Sequence, residues 1–418
     1  MNSKNKKLVF GIFTLVFLLL FIEIGLWTTT LFSTKVEMIL ARDPSEVSVS
    51  QIPHTVADEI LGWRPNPEVP EHDAKGFRNK EVPNKTSILA LGDSQTYGTG
   101  VSADENWTSQ LAKMLNKNVY NLAYGGYGPA QSLVLLEEGL ELKPEIVIEA
   151  FYSGNDLFDC FSFVYTKNQL QELKSKDEKI VKLVDSLETN FPLQKEVQAI
   201  FKSFVKQDSI TKNIEETGFS FKEFLAETSK LYGVFRAFKR LSEQKQENLY
   251  WESIKKVEVK NEGNLIFENP KANTILTPNY RLLALNLNDP RLQEGLRISL
   301  EAIKKQKEKA EKSGAEFYVL FIPTKELVFR DLFYGGFASV PRNYSWLIEC
   351  ETKFRKTARN FFEQNSIKYI DSLPSLKKSL QKGQSPYKQI SDGHPNAIGQ
   401  KAIAEVVFSE LIKHFEKN

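Results

Sequence analysis

Short apolar runs alternate with segments of helical periodicity in two stretches of the chain, residues 87–156 and 290–418. Most of the apolar runs lead into polar turns that contain glycine. Strands that alternate with helices of this length predict a parallel β-sheet covered by helices on both faces. The predicted strands are Ser87–Leu91, Asn118–Ala123, Glu145–Tyr152, Glu316–Ile322 and Ile367–Asp371, and the predicted helices are Asn106–Lys117, Ala130–Leu142, Arg291–Lys312, Ser345–Gln364 and Asn396–Phe415.

The alternation stops between residues 157 and 289, where the chain is charged and mostly helical in pattern, as in Glu223–Asn248. We interpret residues 157–289 as a helical insertion that splits the α/β domain into two parts. Residues 36–86 contain several prolines and no sustained apolar periodicity, which is typical of a connector.

The N-terminus, residues 1–35, predicts a membrane anchor. Three lysines within the first seven residues precede an apolar stretch, residues 8–32, that contains one acidic side chain, Glu23. About 20 apolar residues cross a bilayer core, so Glu23 is expected near the far interface or against a partner. The lysines predict a cytoplasmic N-terminus and a single crossing, with the rest of the chain outside the cytoplasm. A cleaved signal peptide is the alternative, although no small-x-small cleavage motif follows Trp27.

Composition argues against several classes of function. The chain has 55 basic and 53 acidic residues, and basic runs such as Lys304–Lys309 are interleaved with glutamate. No basic face for nucleic acid is therefore expected. The two cysteines, Cys160 and Cys350, have no metal-binding spacing and are interpreted as buried residues, although a disulfide between them stays open. Neither a metal site nor a cofactor is predicted.

Three polar turns follow the first three predicted strands: residues 92–95 (GDSQ), 123–128 (AYGGYG) and 153–156 (SGND). Ligands bind at the carboxyl ends of the strands in open parallel sheets, so we expect all three turns to line one cleft. Ser94 is a candidate nucleophile because a serine after a strand and a glycine can stand exposed at a strand-to-helix turn. In the alternative, Ser94 is only the N-cap of the following helix.

A serine hydroxyl needs a neighbouring base to become a nucleophile, and His394 is the best placed of the four histidines. His394 and Asp392 lie directly before a predicted helix. Asp392 can accept a hydrogen bond from one ring nitrogen of His394, which leaves the other nitrogen facing Ser94. In the alternative, Asp392 or Asn396 only caps that helix. The other histidines are predicted to face solvent: His54, His72 and His414.

Attack on an ester carbonyl develops an oxyanion, which needs hydrogen-bond donors held in place. The candidate donors are the backbone N–H groups of Ser94 and Gly126 and the side-chain amide of Asn155. Taken singly, Gly126 is also explained as a turn glycine and Asn155 as an Asx-turn residue.

Together these blocks resemble the SGNH, or GDSL-type, hydrolase family, which is named for Ser, Gly, Asn and His in four blocks. Residues 88–98 (ILALGDSQTYG), 121–128 (NLAYGGYG), 153–156 (SGND) and 392–399 (DGHPNAIG) are similar to those blocks and occur in the same order. The resemblance covers about residues 80–157 and 290–418 and implies a three-layer α/β/α sandwich. It also implies roles for individual residues: Ser94 as nucleophile, His394 and Asp392 as its triad partners, and Gly126 and Asn155 as oxyanion donors.

The chain departs from the family pattern in two places. Gln95 stands where the naming motif has leucine, and the Asp392-x-His394 spacing is one residue shorter than the spacing common in the esterases. The shorter spacing is similar to that of alginate-type O-acetyltransferases, whose motif order differs, and residues 321–325 (FIPTK) are also similar to those enzymes.

Three functions fit these features. The first is an esterase that acts outside the cytoplasm on an acylated cell-envelope or carbohydrate substrate. The second is an O-acyltransferase, in which a sugar hydroxyl takes the place of water. These two share every site residue and differ in water access and acceptor binding. The third is a non-catalytic carbohydrate-binding or assembly protein that keeps the fold.

Overall fold

The computed structural model describes residues 3–32, 36, 40, 52–199, 229–234, 251, 254–255, 263–336 and 340–416. The chain divides into two units. The first comprises Met1–His54 and Asp208–Ser253, and the second comprises Thr55–Gln207 and Ile254–Asn418. Most of the predicted helix Glu223–Asn248 lies outside the described residues.

In the second unit, nine strands and eleven α-helices have their bounds among the described residues, and residues 193–199 are also helical; helix α1 (Ser3–Phe32) belongs to the first unit. The strands are β1 (Thr55–Asp58), β2 (Gly62–Pro65), β3 (Ile88–Leu91), β4 (Val119–Asn121), β5 (Ile146–Tyr152), β6 (Leu265–Phe267), β7 (Thr274–Leu276), β8 (Glu316–Ile322) and β9 (Lys368–Asp371). The helices are α2 (Ser94–Tyr97), α3 (Trp107–Leu115), α4 (Pro129–Leu140), α5 (Asp156–Phe161), α6 (Glu178–Asn190), α7 (Pro278–Leu285), α8 (Pro290–Lys312), α9 (Lys325–Gly336), α10 (Arg342–Gln364), α11 (Leu373–Gln381) and α12 (Ala397–Phe415).

Five strands form a wholly parallel sheet in the order β4-β3-β5-β8-β9. The chain starts at β3, moves outward to β4, and then returns past β3 to add β5, β8 and β9. The direction of strand addition therefore reverses beside β3, which is where open α/β sheets bind ligands. The polar turns after β3 and β5 lie at this point.

Helices cover both faces of the sheet. Within β3, Ile88 and Ala90 belong to one hydrophobic core, whereas Leu89 and Leu91 belong to the other. This alternation places successive side chains on opposite faces, and both faces are buried. Helices α4 and α8 pack in the core of Leu89, and helices α3, α11 and α12 pack in the core of Ile88. The predicted three-layer α/β/α sandwich with a central parallel sheet is confirmed.

Two short antiparallel hairpins are present that the sequence pattern did not predict. The β1–β2 hairpin lies within the predicted connector, and the β6–β7 hairpin lies within the predicted helical insertion. Strands of three or four residues are too short to establish a period of two, so they give no clear signal in the sequence.

The prediction that His72 faces solvent is wrong. His72 is buried, with Nδ1 2.7 Å from the carbonyl oxygen of Asn66 and Nε2 2.9 Å from the hydroxyl of Tyr97. These hydrogen bonds satisfy both ring nitrogens, so burial costs little. The surrounding prolines indicated a linker, whereas this part of the chain packs against helix α2.

Among the residues that the structure describes, one helix, α1 of the first unit, is long and apolar enough to cross a membrane, with an apolar window at Phe13–Thr30. Glu23 lies within this window, and its side chain contacts polar groups. Its carboxylate accepts hydrogen bonds from the hydroxyl of Ser229 at 3.0 Å and the backbone N–H of Leu231 at 2.9 Å. The acidic side chain is thus matched by polar groups of the same unit.

Candidate active site

The turn after β3 leads to Ser94, which is half-buried and lines a cavity. Gly92 has φ +142°, and a Cβ there would lie 2.8 Å from Thr96 Oγ1, so only glycine fits without rearrangement. Asp93 is the N-cap of α2, because its Oδ1 accepts from the backbone N–H of Gln95 at 2.9 Å. Ser94 is the first residue of the helix, and the alternative in which it is only the N-cap is wrong.

A line of hydrogen bonds joins Ser94, His394 and Asp392. Ser94 Oγ lies 2.8 Å from His394 Nε2, and His394 Nδ1 lies 2.6 Å from Asp392 Oδ1. A carboxylate only accepts hydrogen bonds, so Nδ1 carries the proton and Nε2 is left to accept from the serine hydroxyl. The two ends of this line are brought together by the fold from positions about 300 residues apart.

The helix after His394 is capped by a different residue. Asn396 Oδ1 accepts from the backbone N–H groups of Ile398 at 3.0 Å and Gly399 at 3.1 Å. Asn396 therefore serves as the N-cap of α12, and Asp392 is free to accept from His394. The alternative in which Asp392 caps this helix is wrong.

Lys325 holds the loop that carries Asp392. Its buried Nζ donates to the carbonyl oxygens of Ile390 at 2.7 Å and Asp392 at 3.0 Å. Lys325 opens helix α9 directly after β8, so the loop is tied to the end of a central strand. The sequence of residues 321–325 (FIPTK) does not predict this contact.

The two residues predicted as further oxyanion donors border the same cavity as Ser94. Gly126 has φ +77°, and a Cβ there would lie 3.2 Å from the Trp63 ring. Its neighbour Gly125 is also close to the serine, since a Cβ there would lie 3.7 Å from Ser94 Cβ. Asn155 Nδ2 donates to Asp159 Oδ2, and a hydrogen bond from the same side chain also acts to lower the pKa of Asp93.

The carboxyl groups around Ser94 differ in their pKa values. Burial raises the pKa of Asp93 to about 6, although a backbone hydrogen bond and the charge of His394 act in the opposite direction. Burial also raises the pKa of Asp159 to about 7, opposed by the hydrogen bond from Asn155. For Asp392, burial alone would raise the pKa, but the hydrogen bonds and charge of His394 lower it to about 2. Asp392 is therefore ionised throughout the neutral range.

The cavity has a volume of about 470 Å³, which is within the range of small-molecule sites. Ser94, Gly126, Asn155, Asp392 and His394 all line it, so the fold brings the predicted site residues to one place. Among the residues that the structure describes, no group of three or more His, Cys, Asp or Glu side chains is arranged to hold a metal ion. Both cysteines are buried and free, as expected for small core residues.

No protein-family model matches this chain, and no curated protein sequence matches it. Several solved structures are similar to it. One is a lipolytic protein of the G-D-S-L family from Desulfitobacterium hafniense, 12% identical with a TM-score of 0.33, over 77% of this chain and 98% of that one. Another is a catalytic mutant of an acetylxylan esterase from Geobacillus stearothermophilus, 9% identical with a TM-score of 0.35, over 79% of this chain and 95% of that one.

A third is a GDSL-like lipase from Bacteroides thetaiotaomicron, 9% identical with a TM-score of 0.31, over 78% of this chain and 88% of that one.

Proposed function

We propose that this chain is a serine-dependent ester hydrolase, with Ser94 as nucleophile, His394 as general base and Asp392 as the residue that orients His394. The observation that carries the proposal is the line of hydrogen bonds from Ser94 Oγ to His394 Nε2 at 2.8 Å and from His394 Nδ1 to Asp392 at 2.6 Å. This line opens onto a cavity that is large enough for a substrate. A serine, a base and an orienting carboxylate in this order are recognised by geometry rather than by sequence position.

The reaction divides into two steps. In the first, Ser94 Oγ attacks the ester carbonyl carbon while His394 Nε2 takes the hydroxyl proton, and His394 then gives that proton to the departing alcohol oxygen. In the second, a water molecule attacks the acyl-serine, His394 takes the proton of the water, and the proton returns to Ser94 Oγ as the acid leaves. The negative Asp392 stabilises the protonated His394 in both steps.

The oxyanion of each tetrahedral intermediate requires donors near Ser94. The backbone N–H groups of Ser94 and Gly126 and the amide of Asn155 are proposed for this role, because they border the same cavity as the nucleophile. Gly125 approaches the nucleophile more directly, since a Cβ there would lie 3.7 Å from Ser94 Cβ.

The proposed site of action is the outer side of the membrane. Helix α1 is long and apolar enough to span a bilayer, and the lysines before it favour a cytoplasmic N-terminus. An uncleaved single-pass anchor would then hold the α/β unit outside the cytoplasm, where acylated cell-envelope and carbohydrate substrates occur. A second candidate function, O-acyl transfer to a polysaccharide, is favoured by the short Asp392-x-His394 spacing.

The proposal is tested with the full-length protein in detergent micelles and a short aryl acetate as substrate. Wild type is expected to release the aryl alcohol, and Ser94→Ala is expected to lose this activity. The control is Ser186→Ala, because Ser186 also follows an aspartate but lies exposed on helix α6. If wild type turns over no short-chain aryl ester, the proposal is wrong.

An added oligosaccharide separates the two candidate functions. Hydrolysis releases acetate at a rate that does not depend on the sugar, whereas acyl transfer produces an acetylated sugar that mass spectrometry detects. Accumulation of acetylated oligosaccharide in place of acetate would favour the acyltransferase.

A further inference from the structure

Arg281 is a buried cation at the wall of the catalytic cavity. It lies on helix α7, in the segment predicted as an insertion, and only 8% of its surface is exposed. It lines the cavity together with Ser94 and His394. No sequence motif surrounds it, and the sequence pattern gave no indication of its position.

Within the described part of the chain, the guanidinium of Arg281 has no hydrogen-bond partner. Its nearest carboxylate oxygen is Glu326 Oε2, which lies 3.8 Å from Nε and is too distant for a hydrogen bond. The other oxygen of Glu326 already accepts from the backbone N–H and the hydroxyl of Thr277. Glu326 therefore offsets part of the charge of Arg281 without occupying its donors.

The other buried arginines of the described residues are all paired directly. Arg78 donates to Glu71 through Nε at 3.0 Å, Arg291 donates to Asp289 through Nη2 at 2.6 Å, and Arg355 donates to Asp371 through Nη2 at 2.6 Å. Burial of a charged group without hydrogen-bonded partners is costly, which explains these pairs. Arg281 departs from this pattern, and it is also the buried arginine that lines the cavity.

The surroundings of Arg281 fix its position beside the catalytic loop. Its guanidinium lies near the rings of Tyr152 and Tyr280, 5.8 Å and 5.1 Å from their centres. Its Nη2 packs so closely on Gly393 that a Cβ there would lie 2.1 Å away. Because Gly393 stands between Asp392 and His394, the guanidinium is held next to the place where an ester would be attacked.

We propose that Arg281 binds an anionic group, a carboxylate or a phosphate, on the acylated substrate. The inference rests on the proposed ester hydrolysis and narrows its substrate class to esters of acidic sugars. A guanidinium presents its N–H donors as a planar fork that matches the oxygens of either anion. The carboxylates that also line the cavity are engaged, since Asp392 pairs with His394 and Asp159 accepts from Asn155.

The test compares three acetylated methyl glycosides that differ at C6: a glucoside, a glucuronoside and a glucoside 6-phosphate. Acetate release by the full-length protein gives kcat/KM for each. Wild type is expected to prefer at least one anionic ester over the neutral one by about tenfold or more, mainly through KM, as for a hydrogen bond to a charged group. The two anionic esters decide whether a carboxylate or a phosphate is preferred.

In Arg281→Met, the ratio of anionic to neutral kcat/KM is expected to fall to about one, whereas Arg342→Met, a change at an exposed arginine, keeps the wild-type ratio. A ratio measured on one preparation does not depend on the fraction of folded protein. A merely structural Arg281 would lower both rates together and leave the ratio intact, which would overturn the inference.

A measurement on wild type alone tests the role of Arg281 even if the Arg281→Met variant does not fold. The unacetylated methyl glucuronoside and glucoside 6-phosphate are added as inhibitors of aryl acetate hydrolysis, with methyl glucoside as the neutral control. At least one anionic glycoside should inhibit at a concentration about tenfold lower than the neutral one. Equal inhibition by all three overturns the role of Arg281 and leaves ester hydrolysis standing, whereas absence of aryl acetate turnover removes the proposed function itself.

Discussion

Two aspartates, Asp392 and Asp93, belong to the site of the proposed nucleophile, and the pKa values of their carboxyl groups are shifted in opposite directions. Asp392 keeps 30% of its side chain exposed and pairs with His394, and its pKa is lowered to about 2. Asp93 is fully buried beside Ser94, its Oδ1 accepts from one backbone N–H, and burial raises its pKa to about 6. The more exposed carboxyl is therefore the one that is ionised most firmly.

The balance of two effects therefore decides the charge of each carboxyl group: the hydrogen bonds and charge of His394 outweigh burial at Asp392, whereas burial outweighs the hydrogen bonds at Asp93. A residue that orients a catalytic histidine must remain negative while that histidine gains a proton, and Asp392 meets this requirement. Asp93 instead begins helix α2 and so positions Ser94. Replacing either aspartate by asparagine should therefore have different consequences, the first for turnover and the second for stability.

The largest effect is expected for Asp392→Asn. The amide cannot fix His394 in the form with the proton on Nδ1, and it cannot stabilise the protonated ring, so kcat for aryl acetate should fall by about 10³–10⁴-fold and leave residual activity. Steady-state kinetics measure the change, with Asp104→Asn at an exposed position as the control. A rate equal to that of wild type would remove Asp392 from the proposed triad.

A smaller loss is expected for Asn155→Ala, which removes a proposed oxyanion donor and leaves the line from Ser94 to Asp392 in place. The kcat should fall by about 10²-fold with little change in KM, because the interaction develops in the transition state. A change confined to KM would indicate that Asn155 contacts the bound substrate and does not stabilise the oxyanion.

The smallest effect is expected for Asp93→Asn, and it acts on the free energy of unfolding. Asparagine is also a good N-cap, so the start of helix α2 should be retained. The folded protein holds the proton of Asp93 more tightly than the unfolded chain, so wild type loses stability as the pH rises from about 4 to about 6. Above that window the variant should be more stable than wild type by about 1–3 kcal/mol, an advantage that disappears near pH 4.

Urea unfolding of both proteins at pH 4 and pH 8 in the same detergent measures this difference. An identical difference at the two pH values would mean that the pKa of Asp93 is not raised in the folded protein.

The sequence predicted the fold where local patterns were strong. The apolar runs that correspond to β3, β5 and β8 were identified within one residue at most, because buried parallel strands form nearly continuous apolar runs, interrupted in β5 by Glu149. The polar turns after β3 and β5 could then be placed at one sheet edge by topology alone. The sequence alone therefore predicted that Ser94 and Asn155 lie in one site.

Other contacts form between segments that are distant in sequence, and no local sequence pattern predicts them. Arg281 reaches the cavity from a helix in the predicted insertion, and Lys325 ties the 390–392 loop to the end of β8. Local competition also left the alternative role of Ser94 open, because Asp93 and Ser94 are both good N-caps, and only the structure shows that Asp93 takes that position. His72 was misjudged because prolines indicate a linker whether or not the segment packs.

The most direct test of the account is the site at which a serine-directed aryl fluorophosphonate labels the protein. Ser94→Ala should change the free energy of unfolding by less than about 1 kcal/mol, because Asp93 and not Ser94 caps helix α2. Mass spectrometry of peptides from the wild type is expected to find the phosphonate on Ser94, and the Ser94→Ala variant should remain unlabelled and inactive. Labelling of a different serine in that variant, with ester hydrolysis intact, would contradict the assignment of Ser94 as the nucleophile.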